Sequence, residues 1–133
     1  MIYALDTNTI SFMLKDNDNV YNRYFDVLSK GNRCIIPLMV YYEVRRGLKA
    51  NDAQLKMRSF EKICFDLGIV EITIADMNTA ADIYADLKNR GRMIDDGDLL
   101  IAAQVVARGY TLVTNNRKHF ENVKGLTFED WCE

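Results

Sequence analysis

A continuous apolar segment in the last third of the chain restricts the possible folds more than any other part of the sequence. Between residues 99 and 107 only Gln104 is polar, so a helix formed here has no polar face to present to water. A helix that is hydrophobic on all sides is buried inside a protein. Gly109 supplies the residue that commonly ends a helix just beyond its last turn. The sequence therefore predicts a buried helix around which other elements pack.

Three carboxylates, Asp95, Asp96 and Asp98, stand where this helix begins. An isolated charge in a low-dielectric interior is unfavourable unless it is paired, hydrogen-bonded or bound to a metal ion. Capping explains one of the three, because aspartate is a preferred N-cap residue and negative charge suits the positive end of a helix dipole. Three acids exceed what a cap requires, so a capping role and a functional role both stay open.

Short apolar runs alternate with segments of helical periodicity along the chain. The runs predict strands at residues 2–5, 34–36, 69–74, 110–113 and 126–128. Helices are predicted from residue 20 to residue 30, from Pro37 as a first helical position, from residues 51–52, and over residues 75–90. Such alternation predicts an α/β domain with a mostly parallel sheet of four to five strands. No linker or repeat interrupts the 133 residues, so residues 1–133 are predicted to form one domain.

The predicted sheet brings polar side chains to one rim. Asp6 follows the first strand and Asn116 follows the fourth, and ligands of open α/β sheets bind beyond the carboxyl ends of the strands. Glu43, in the helix that Pro37 opens, and Asp98 are further acids that can converge there. Simpler interpretations exist for two of these residues. Asp6 can cap the next helix, and Glu43 can be a solvated residue that pairs with Arg46, three positions later.

Converging carboxylates repel one another, and a hard divalent cation resolves that repulsion. Mg²⁺ prefers oxygen ligands, keeps several waters, and is usually held by few carboxylates together with a substrate phosphate. Such an ion activates water and stabilises charge that develops on a phosphoryl group. Since His119 is the only histidine, an acid–base mechanism with two histidines is excluded. The pattern indicates metal-dependent phosphodiester hydrolysis.

Several segments follow one another in a distinctive order: Asp6-Thr7-Asn8, Glu43 within its helix, residues 97–103, residues 113–116 followed by His119-Phe120, and the ending Glu129-Asp130-Trp131. Each fragment alone is common, but their order and spacing together resemble PIN-domain ribonucleases. The likeness is greatest to the VapC-type toxins of bacterial toxin–antitoxin systems, and it covers essentially the whole chain.

This resemblance implies a Mg²⁺- or Mn²⁺-dependent endoribonuclease in which Asp6, Glu43 and Asp98 form the acidic, metal-holding triad. It also implies a homodimer, an antitoxin partner that occludes the site, and structured RNA as the substrate. In the toxins that this chain resembles most, the substrate is often transfer RNA, including the initiator, cut in the anticodon region.

The chain departs from that pattern at two places. Many PIN domains have a fourth acid where this chain has Asn116, whose amide oxygen can bind an ion but adds no negative charge. A second metal ion held by the protein is therefore in doubt. Asp95 and Asp96 lie where similar toxins more often have uncharged residues. Our hypothesis is that one of them supplies the missing charge through a metal-bound water; otherwise both are solvated loop acids, or Asp95 is a cap.

Two polar residues are predicted to support the triad. Thr114 is expected to hold a hydroxyl beside Asp6, where it orients the carboxylate or a metal-bound water. Asn8 is expected to form a hydrogen bond across the same turn. The alternative for both is that they satisfy local backbone groups as ordinary turn residues.

Basic residues flank the predicted site. Such side chains can grip phosphates and hold RNA over an acidic centre, although a solvated charged face is the alternative for each of them. The candidates are Arg45, Arg46 and Lys49 near Glu43, Lys88, Arg90 and Arg92 before the acidic loop, and Arg117 and Lys118 beyond the fourth strand. The aromatic residues Phe12, Tyr24, Tyr41 and Tyr42 are predicted to be core or dimer contacts.

Composition limits the partners and the compartment. A net charge of −2 excludes a general nucleic-acid binder that relies on bulk positive charge. The three cysteines are far apart and fit neither a disulfide framework nor a zinc site, which favours a reducing compartment. The first residues lack the features of a signal peptide, and no apolar run approaches the roughly 18 residues of a membrane helix. The expected location is the cytoplasm, without a membrane partner.

Two other functions fit part of the pattern. A metal-dependent phosphatase or phosphoacceptor domain also has an aspartate after its first strand, but haloacid-dehalogenase-type phosphatases have Asp-x-Asp where this chain has Asp6-Thr7-Asn8. The third possibility is a binding module without catalysis, whose acids cap helices and bind a basic partner. Hydrolysis of a small phosphate ester, or failure to bind Mg²⁺, would favour these alternatives over the nuclease.

Overall fold

Five short strands form one sheet, and seven helices connect and flank them in the computed structural model, which describes residues 1–133. The strands are β1 (Ile2–Leu5), β2 (Arg33–Pro37), β3 (Ile69–Val70), β4 (Thr111–Val113) and β5 (Thr127–Glu129). The helices are α1 (Thr7–Leu14), α2 (Asp18–Ser29), α3 (Leu38–Ala50), α4 (Gln54–Leu67), α5 (Ile74–Asn89), α6 (Asp96–Arg108) and α7 (Arg117–Phe120).

The sheet is parallel throughout, with strand order β3-β2-β1-β4-β5. This confirms the predicted α/β class and its parallel sheet. Strand β1 lies at the centre, with β2 on one side and β4 on the other. Leu5 is opposite Val113 in the β1–β4 register, so the residues that follow these two strands are neighbours at the same edge. That edge carries the candidate site.

Helix α6 is the buried helix that the apolar segment predicts. Leu99, Ile101 and Ala102 are buried, and each large apolar side chain removed from water contributes about 1.5–3 kcal/mol. Gln104, the polar exception, is buried as well, and its Nε2 donates to the carbonyl oxygens of Val70 and Glu71 at 2.9 and 3.2 Å. The helix ends at Gly109, whose φ of 67° is the left-handed conformation that glycine adopts without strain.

The predicted third strand, residues 69–74, was too long. Only Ile69–Val70 pairs with β2, and α5 begins at Ile74. A capping box explains the early start, because the Thr73 hydroxyl accepts from the Asp76 N–H at 3.2 Å while the Asp76 carboxylate accepts from the Thr73 N–H at 2.8 Å. These reciprocal bonds stabilise the first turn of the helix, although the residues around Thr73 are β-branched and favour a strand.

Other boundaries also differ from the predictions. Pro37 is the last residue of β2, with ψ of 147°, and precedes α3 instead of being its first helical residue. Asp52 has a φ of 49°, outside the helical region, so α4 begins at Gln54 and not at residues 51–52. Two short helices were missed, since residues 7–9 form the first turn of α1 and residues 117–120 form α7. The last strand, Thr127–Glu129, begins and ends one residue later than predicted.

Helical periodicity over residues 75–90 predicts an apolar stripe of Met77, Ala80, Ala81, Tyr84 and Leu87 on α5, and this prediction was partly wrong. Ala80 and Leu87 are buried, and Ile83 joins them, but Met77 and Tyr84 are exposed beside α6. The three cysteines, Cys34, Cys64 and Cys132, are free thiols. None of the helices has both the length and the apolar composition needed to cross a bilayer.

Candidate active site

Parallel pairing of β1 with β4 brings Asp6 against Thr114. The Asp6 N–H donates to the carbonyl of Val113 at 2.9 Å, which extends the strand pairing by one residue. The Thr114 hydroxyl then donates to Asp6 Oδ2 at 2.7 Å. Asp6 also caps α1, because its Oδ1 accepts from the Thr7 N–H at 2.8 Å. The capping interpretation and the site interpretation of Asp6 are therefore compatible, with one oxygen serving each.

Asp6 lies in a low-dielectric position. Its exposure is 3%, and burial raises its pKa to about 6 even though the hydrogen bonds from Thr114 and Thr7 lower it. The negative charges of Asp98 and Glu43 raise the pKa of Asp6 further. A buried carboxylate surrounded by other carboxylates is a group that gains from a nearby cation.

Glu43 projects from α3 toward the same edge. Its Oε1 accepts a hydrogen bond from the Thr7 hydroxyl at 2.7 Å. The simple interpretation, a surface pair with Arg46, was wrong: Glu43 forms no ion pair, and the Arg46 guanidinium lies 5.0 Å from the centre of the Tyr42 ring. Glu43 is half-buried and directed at the end of β1.

Asp98 lies in the first turn of α6, where its side chain is 17% exposed. His119, on α7, places its Nδ1 2.9 Å from Asp98 Oδ2. Burial raises the pKa of Asp98, His119 lowers it, and the charges of Glu43 and Asp95 raise it. The N-cap position of α6 belongs to Asp95, whose side chain makes no capping hydrogen bond. No side-chain capping bond therefore accounts for Asp95, although the charges of all three acids lie at the positive end of the helix dipole.

A cleft of about 480 Å³ collects these side chains. Of the residues predicted for the site, it contains the triad, both asparagines, Asp95 and Arg46. The complete lining is Asp6, Thr7, Asn8, Ser11, Phe12, Lys15, Glu43, Arg46, Asp95, Asp98, Asn116 and His119.

Three of these acids come from segments far apart in sequence, and the fold unites them. Asp96 does not join them. It lines a separate groove between α5 and α6, beside Met77 and Tyr84. Thr114 lies behind the cleft, fully buried, and acts through Asp6.

The two asparagines and Thr114 form a small network behind the acids. Asn8 donates from Nδ2 to Asp6 Oδ2 at 3.2 Å and accepts from the Asn115 N–H at 3.1 Å, as the predicted bond across the turn requires. The Thr114 hydroxyl accepts from the Asn116 N–H at 3.0 Å. These bonds tie the start of α1 to the turn after β4.

Most of the predicted RNA-contact residues point away from the cleft. Arg45 packs over Tyr41 and reaches Met57 Sδ, and the Arg117 guanidinium lies 5.8 Å from the Phe128 ring centre. The remaining candidates lie elsewhere: Lys49 in a groove between α3 and α4, Lys88 over Tyr84, Arg90 paired with Asp86, Arg92 exposed after α5, and Lys118 in a side pocket with Asp98 and His119. Arg46 alone of the eight lines the main cleft.

Sequence reasoning missed Lys15 and assigned no role to Thr7 or His119. Lys15 follows Asn8 by seven residues and Ser11 by four, so helical periodicity from Asn8 would have found it had α1 been predicted. Neither Lys15 nor Arg46 is paired with an acid, which leaves both charges available to a ligand. Phe12, predicted as a core or dimer contact, packs partly buried against the core and also lines the cleft.

The donor set fits a hard divalent cation. All three acids offer oxygen, and the charges of Glu43 and Asp98 raise the pKa of Asp6 while the charge of Glu43 raises the pKa of Asp98, so the three carboxylates lie within electrostatic range of one another. Each carboxylate has its own polar partner, Thr114 for Asp6, Thr7 for Glu43 and His119 for Asp98. No three potential ligand side chains are close enough together to enclose an ion by themselves. This arrangement suits an ion that keeps part of its water shell, as Mg²⁺ does.

Comparison with known proteins agrees with this geometry. The family model described as PIN domain matches residues 3–126. Ribonuclease VapC2 of Rickettsia felis is 29% identical over 136 residues, and the alignment covers 98% of each chain. The tRNA(fMet)-specific endonuclease VapC of Shigella flexneri is 28% identical and covers 97% of each chain. The crystal structure of VapBC2 from Rickettsia felis bound to a promoter DNA fragment superimposes with a TM-score of 0.91 at 29% identity, covering 98% of this chain and 99% of that one.

Proposed function

The chain belongs to the PIN-domain family, and from this premise we propose that it is a metal-dependent endoribonuclease that acts as the toxin of a toxin–antitoxin pair. One observation carries the proposal: Asp6, Glu43 and Asp98, from three separate segments, face one cleft on the carboxyl edge of the sheet. A phosphatase of the haloacid-dehalogenase type would need a second aspartate where Asn8 stands.

Asp6, Glu43 and Asp98 are the residues that would hold Mg²⁺ or Mn²⁺. When bound, such an ion supplies an activated water and neutralises charge on the phosphoryl group that is attacked. Thr114 keeps the Asp6 carboxylate in one orientation with its hydroxyl at 2.7 Å, and His119 does the same for Asp98 at 2.9 Å. The protein thereby limits the rearrangement that its carboxylates need before reaction.

Structured RNA, and transfer RNA in particular, is the substrate class that we propose. The relative from Shigella flexneri is named as specific for tRNA(fMet), whereas that from Rickettsia felis is named only as a ribonuclease. Lys15 and Arg46 are the two unpaired cations of the cleft, and phosphate contacts from them would hold the strand over the acids. Because its substrate is RNA, the protein is expected to act in the cytoplasm.

Two protein partners belong to the proposal. An antitoxin is the first, since the similar structure from Rickettsia felis is a VapBC complex. A second copy of this chain is the other. Met77 and Tyr84 on α5 are 48% and 39% exposed beside Leu100, and a homodimer would cover these apolar side chains. Size-exclusion chromatography with light scattering tests the second partner.

Asp95 is our candidate for the fourth acid that Asn116 does not provide. It lines the cleft and its charge raises the pKa of Asp98, whereas Asp96 lines the α5–α6 groove. Asp95→Asn should weaken Mn²⁺ binding more than Asp96→Asn does, because only Asp95 is near enough to act through a bound water. Equal affinities and cleavage rates in both variants and wild type would remove Asp95 from the site.

The decisive experiment is cleavage of a total transfer RNA pool by antitoxin-free protein, with Mg²⁺ or with EDTA. Discrete fragments that require both the metal and an intact Asp98, tested with Asp98→Asn, would establish the nuclease, and mapping the ends would name the target. If Mn²⁺ and other RNA classes also give no cleavage and no metal binds, the acids are structural and the proposal fails. Hydrolysis of p-nitrophenyl phosphate without RNA cleavage would indicate a phosphatase.

A further inference from the structure

Glu43 is confined at both of its carboxylate oxygens. Oε1 accepts from the Thr7 hydroxyl at 2.7 Å, and Oε2 lies so close to the backbone of Gly97 that a Cβ atom there would be 2.8 Å from it. The same added Cβ would be 3.7 Å from Met39 Cε, so the methionine packs beside this contact. A hydroxyl from α1 and a bare backbone from α6 thus enclose a side chain from α3.

Helix α3 would not hold this conformation by itself. A glutamate side chain has three torsions, and fixing all of them in one rotamer costs conformational entropy. Without a partner, the carboxylate would extend into water or turn toward Arg46. The Thr7 hydroxyl offsets part of that entropic cost, since a hydrogen bond to a charged group is stronger than one between neutral groups.

The positions of the two contacting residues in the chain add a second argument. Thr7 directly follows Asp6, and Gly97 directly precedes Asp98. We propose that Thr7 and Gly97 are positioning residues, whose contacts hold the Glu43 carboxylate in place beside Asp6 and Asp98. A shift of α1 then moves Asp6 together with Thr7, and a shift of α6 moves Asp98 together with Gly97. The contact that holds Glu43 therefore moves with the neighbouring acid, and the three carboxylates keep their spacing. This inference rests on the proposed nuclease function for its purpose, but its geometry can be tested separately.

A comparison of two helical glycines supports the assignment. Gly47 in α3 and Gly97 in α6 both lie within helices, and neither has a positive φ. A glycine inside a helix destabilises that helix relative to alanine, so a glycine at such a position calls for a structural reason. Nothing lies within 4 Å of a Cβ added at Gly47, whereas a Cβ at Gly97 would strike the tip of Glu43. Of the two, only Gly97 has a close contact that a methyl group would disturb, by displacing the Glu43 carboxylate.

Four variants separate a positioning role from a structural one: Thr7→Val, Thr7→Ser, Gly97→Ala and Gly47→Ala. The first removes the hydroxyl at nearly constant shape, and the second restores it. Gly97→Ala displaces the flexible end of Glu43 instead of the backbone, and Gly47→Ala gives the same helix-propensity gain without the collision. Each variant is measured for Mn²⁺ affinity by calorimetry, for thermal unfolding without metal, and for kcat and KM on a cleaved RNA.

We expect Thr7→Val and Gly97→Ala to weaken Mn²⁺ binding by about 10- to 100-fold and to lower kcat with KM unchanged. Thr7→Ser should stay close to wild type. Both alanine variants should be as heat-stable as wild type or more so, but only Gly97→Ala should lose metal affinity. A glycine with only a structural role would not give this combination of retained stability and lost metal affinity.

The inference is overturned if Thr7→Val binds Mn²⁺ like wild type, if Thr7→Ser is as defective as Thr7→Val, or if the two alanine variants behave alike. A wild-type protein that neither binds Mn²⁺ nor cuts RNA would instead reject the proposed function. In that case the ¹³C NMR resonance of the Glu43 side-chain carboxyl, assigned with Glu43→Gln, decides the geometry. If the resonance shifts in both Thr7→Val and Gly97→Ala but not in Gly47→Ala, Thr7 and Gly97 position the Glu43 carboxylate. If it does not shift in those two variants, they do not.

Discussion

The hydroxyl of Thr114 donates to Asp6 Oδ2 at 2.7 Å, although 108 residues separate the two in sequence. The same hydroxyl accepts from the Asn116 N–H at 3.0 Å, so its single proton is directed to the aspartate. Thr114 is fully buried, and no water competes for this bond. The parallel register of β1 and β4 therefore sets the orientation of the first acid of the site.

Thr114→Val should reduce Mn²⁺ affinity and the cleavage rate by about 10- to 100-fold, because Asp6 loses the donor that orients it. The Asn116 N–H also loses its acceptor, so the free energy of unfolding should fall by about 1–3 kcal/mol. Thr114→Ser keeps the hydroxyl and should recover most of both losses. Calorimetric Mn²⁺ titration and urea unfolding measure them, and equal behaviour of the valine and serine variants would contradict the assigned bond.

The raised pKa of Asp6 predicts a pH dependence of stability in the metal-free protein. Burial holds the pKa near 6, above the value of 3.8 that is expected when the chain is unfolded. Ionising Asp6 therefore destabilises the fold above pH 6. At 1.36 kcal/mol per pKa unit, this lowers the free energy of unfolding by at most about 3 kcal/mol. The loss disappears as the pH falls from 6 toward 4, because Asp6 is then protonated in the folded protein.

Asp6→Asn removes that penalty. In EDTA at pH 7.5 we expect it to be more stable than wild type by about 1–3 kcal/mol, with the difference shrinking as the pH falls from 6 to 4. Adding Mg²⁺ should raise the Tm of wild type and not that of the variant, because only wild type keeps its ligand. A variant less stable than wild type at pH 7.5 in EDTA would show that the carboxylate supports the metal-free fold.

Much of this site was predictable from sequence because its main parts are local signals. The short run before Asp6 and the apolar segment after Asp98 mark a strand end and a helix start, and α/β topology brings such ends to one edge. The partners of these acids were not predictable. Thr7 meets Glu43 across 36 residues, in a geometry that depends on the packing of α1 against α3.

His119 and Lys15 show two different reasons for failure. His119 belongs to a four-residue helix, and such short elements carry too little periodicity to be recognised. Lys15 was missed because Thr7-Asn8-Thr9 reads as a polar turn, although Asp6 caps a helix there. Conversely, Arg45 and Arg117 were expected at the rim on proximity in sequence. Arg45 instead lies over Tyr41, one turn earlier on α3, and Arg117 lies over Phe128, a contact that sequence order does not reveal.

The contact between His119 Nδ1 and Asp98 Oδ2 predicts a graded pair of variants. His119→Ala should lower Mn²⁺ affinity and the single-turnover cleavage rate by about 10-fold, because Asp98 loses the donor that fixes its rotamer. His119→Asn keeps an amide N–H near the position of Nδ1 and should lie closer to wild type. If asparagine and alanine are equally poor, the exposed edge of the ring, and not the bond to Asp98, is what the site uses.

The unpaired cations of the cleft predict how RNA binding depends on salt. Arg46→Gln and Lys15→Gln should each weaken binding of cleavable RNA, and each should reduce the slope of log affinity against log salt by about 1. Arg33→Gln is the matched control, because Arg33 is exposed at the amino end of β2, on the opposite edge of the sheet. Binding is measured with Ca²⁺ in place of Mg²⁺, by fluorescence anisotropy between 50 and 200 mM salt, a range over which phosphate contacts dominate the change.

Equal slopes in wild type and all three variants would mean that the phosphates lie outside this cleft. A loss in Arg33→Gln as large as that in Arg46→Gln would mean that net charge, and not these two side chains, attracts the RNA.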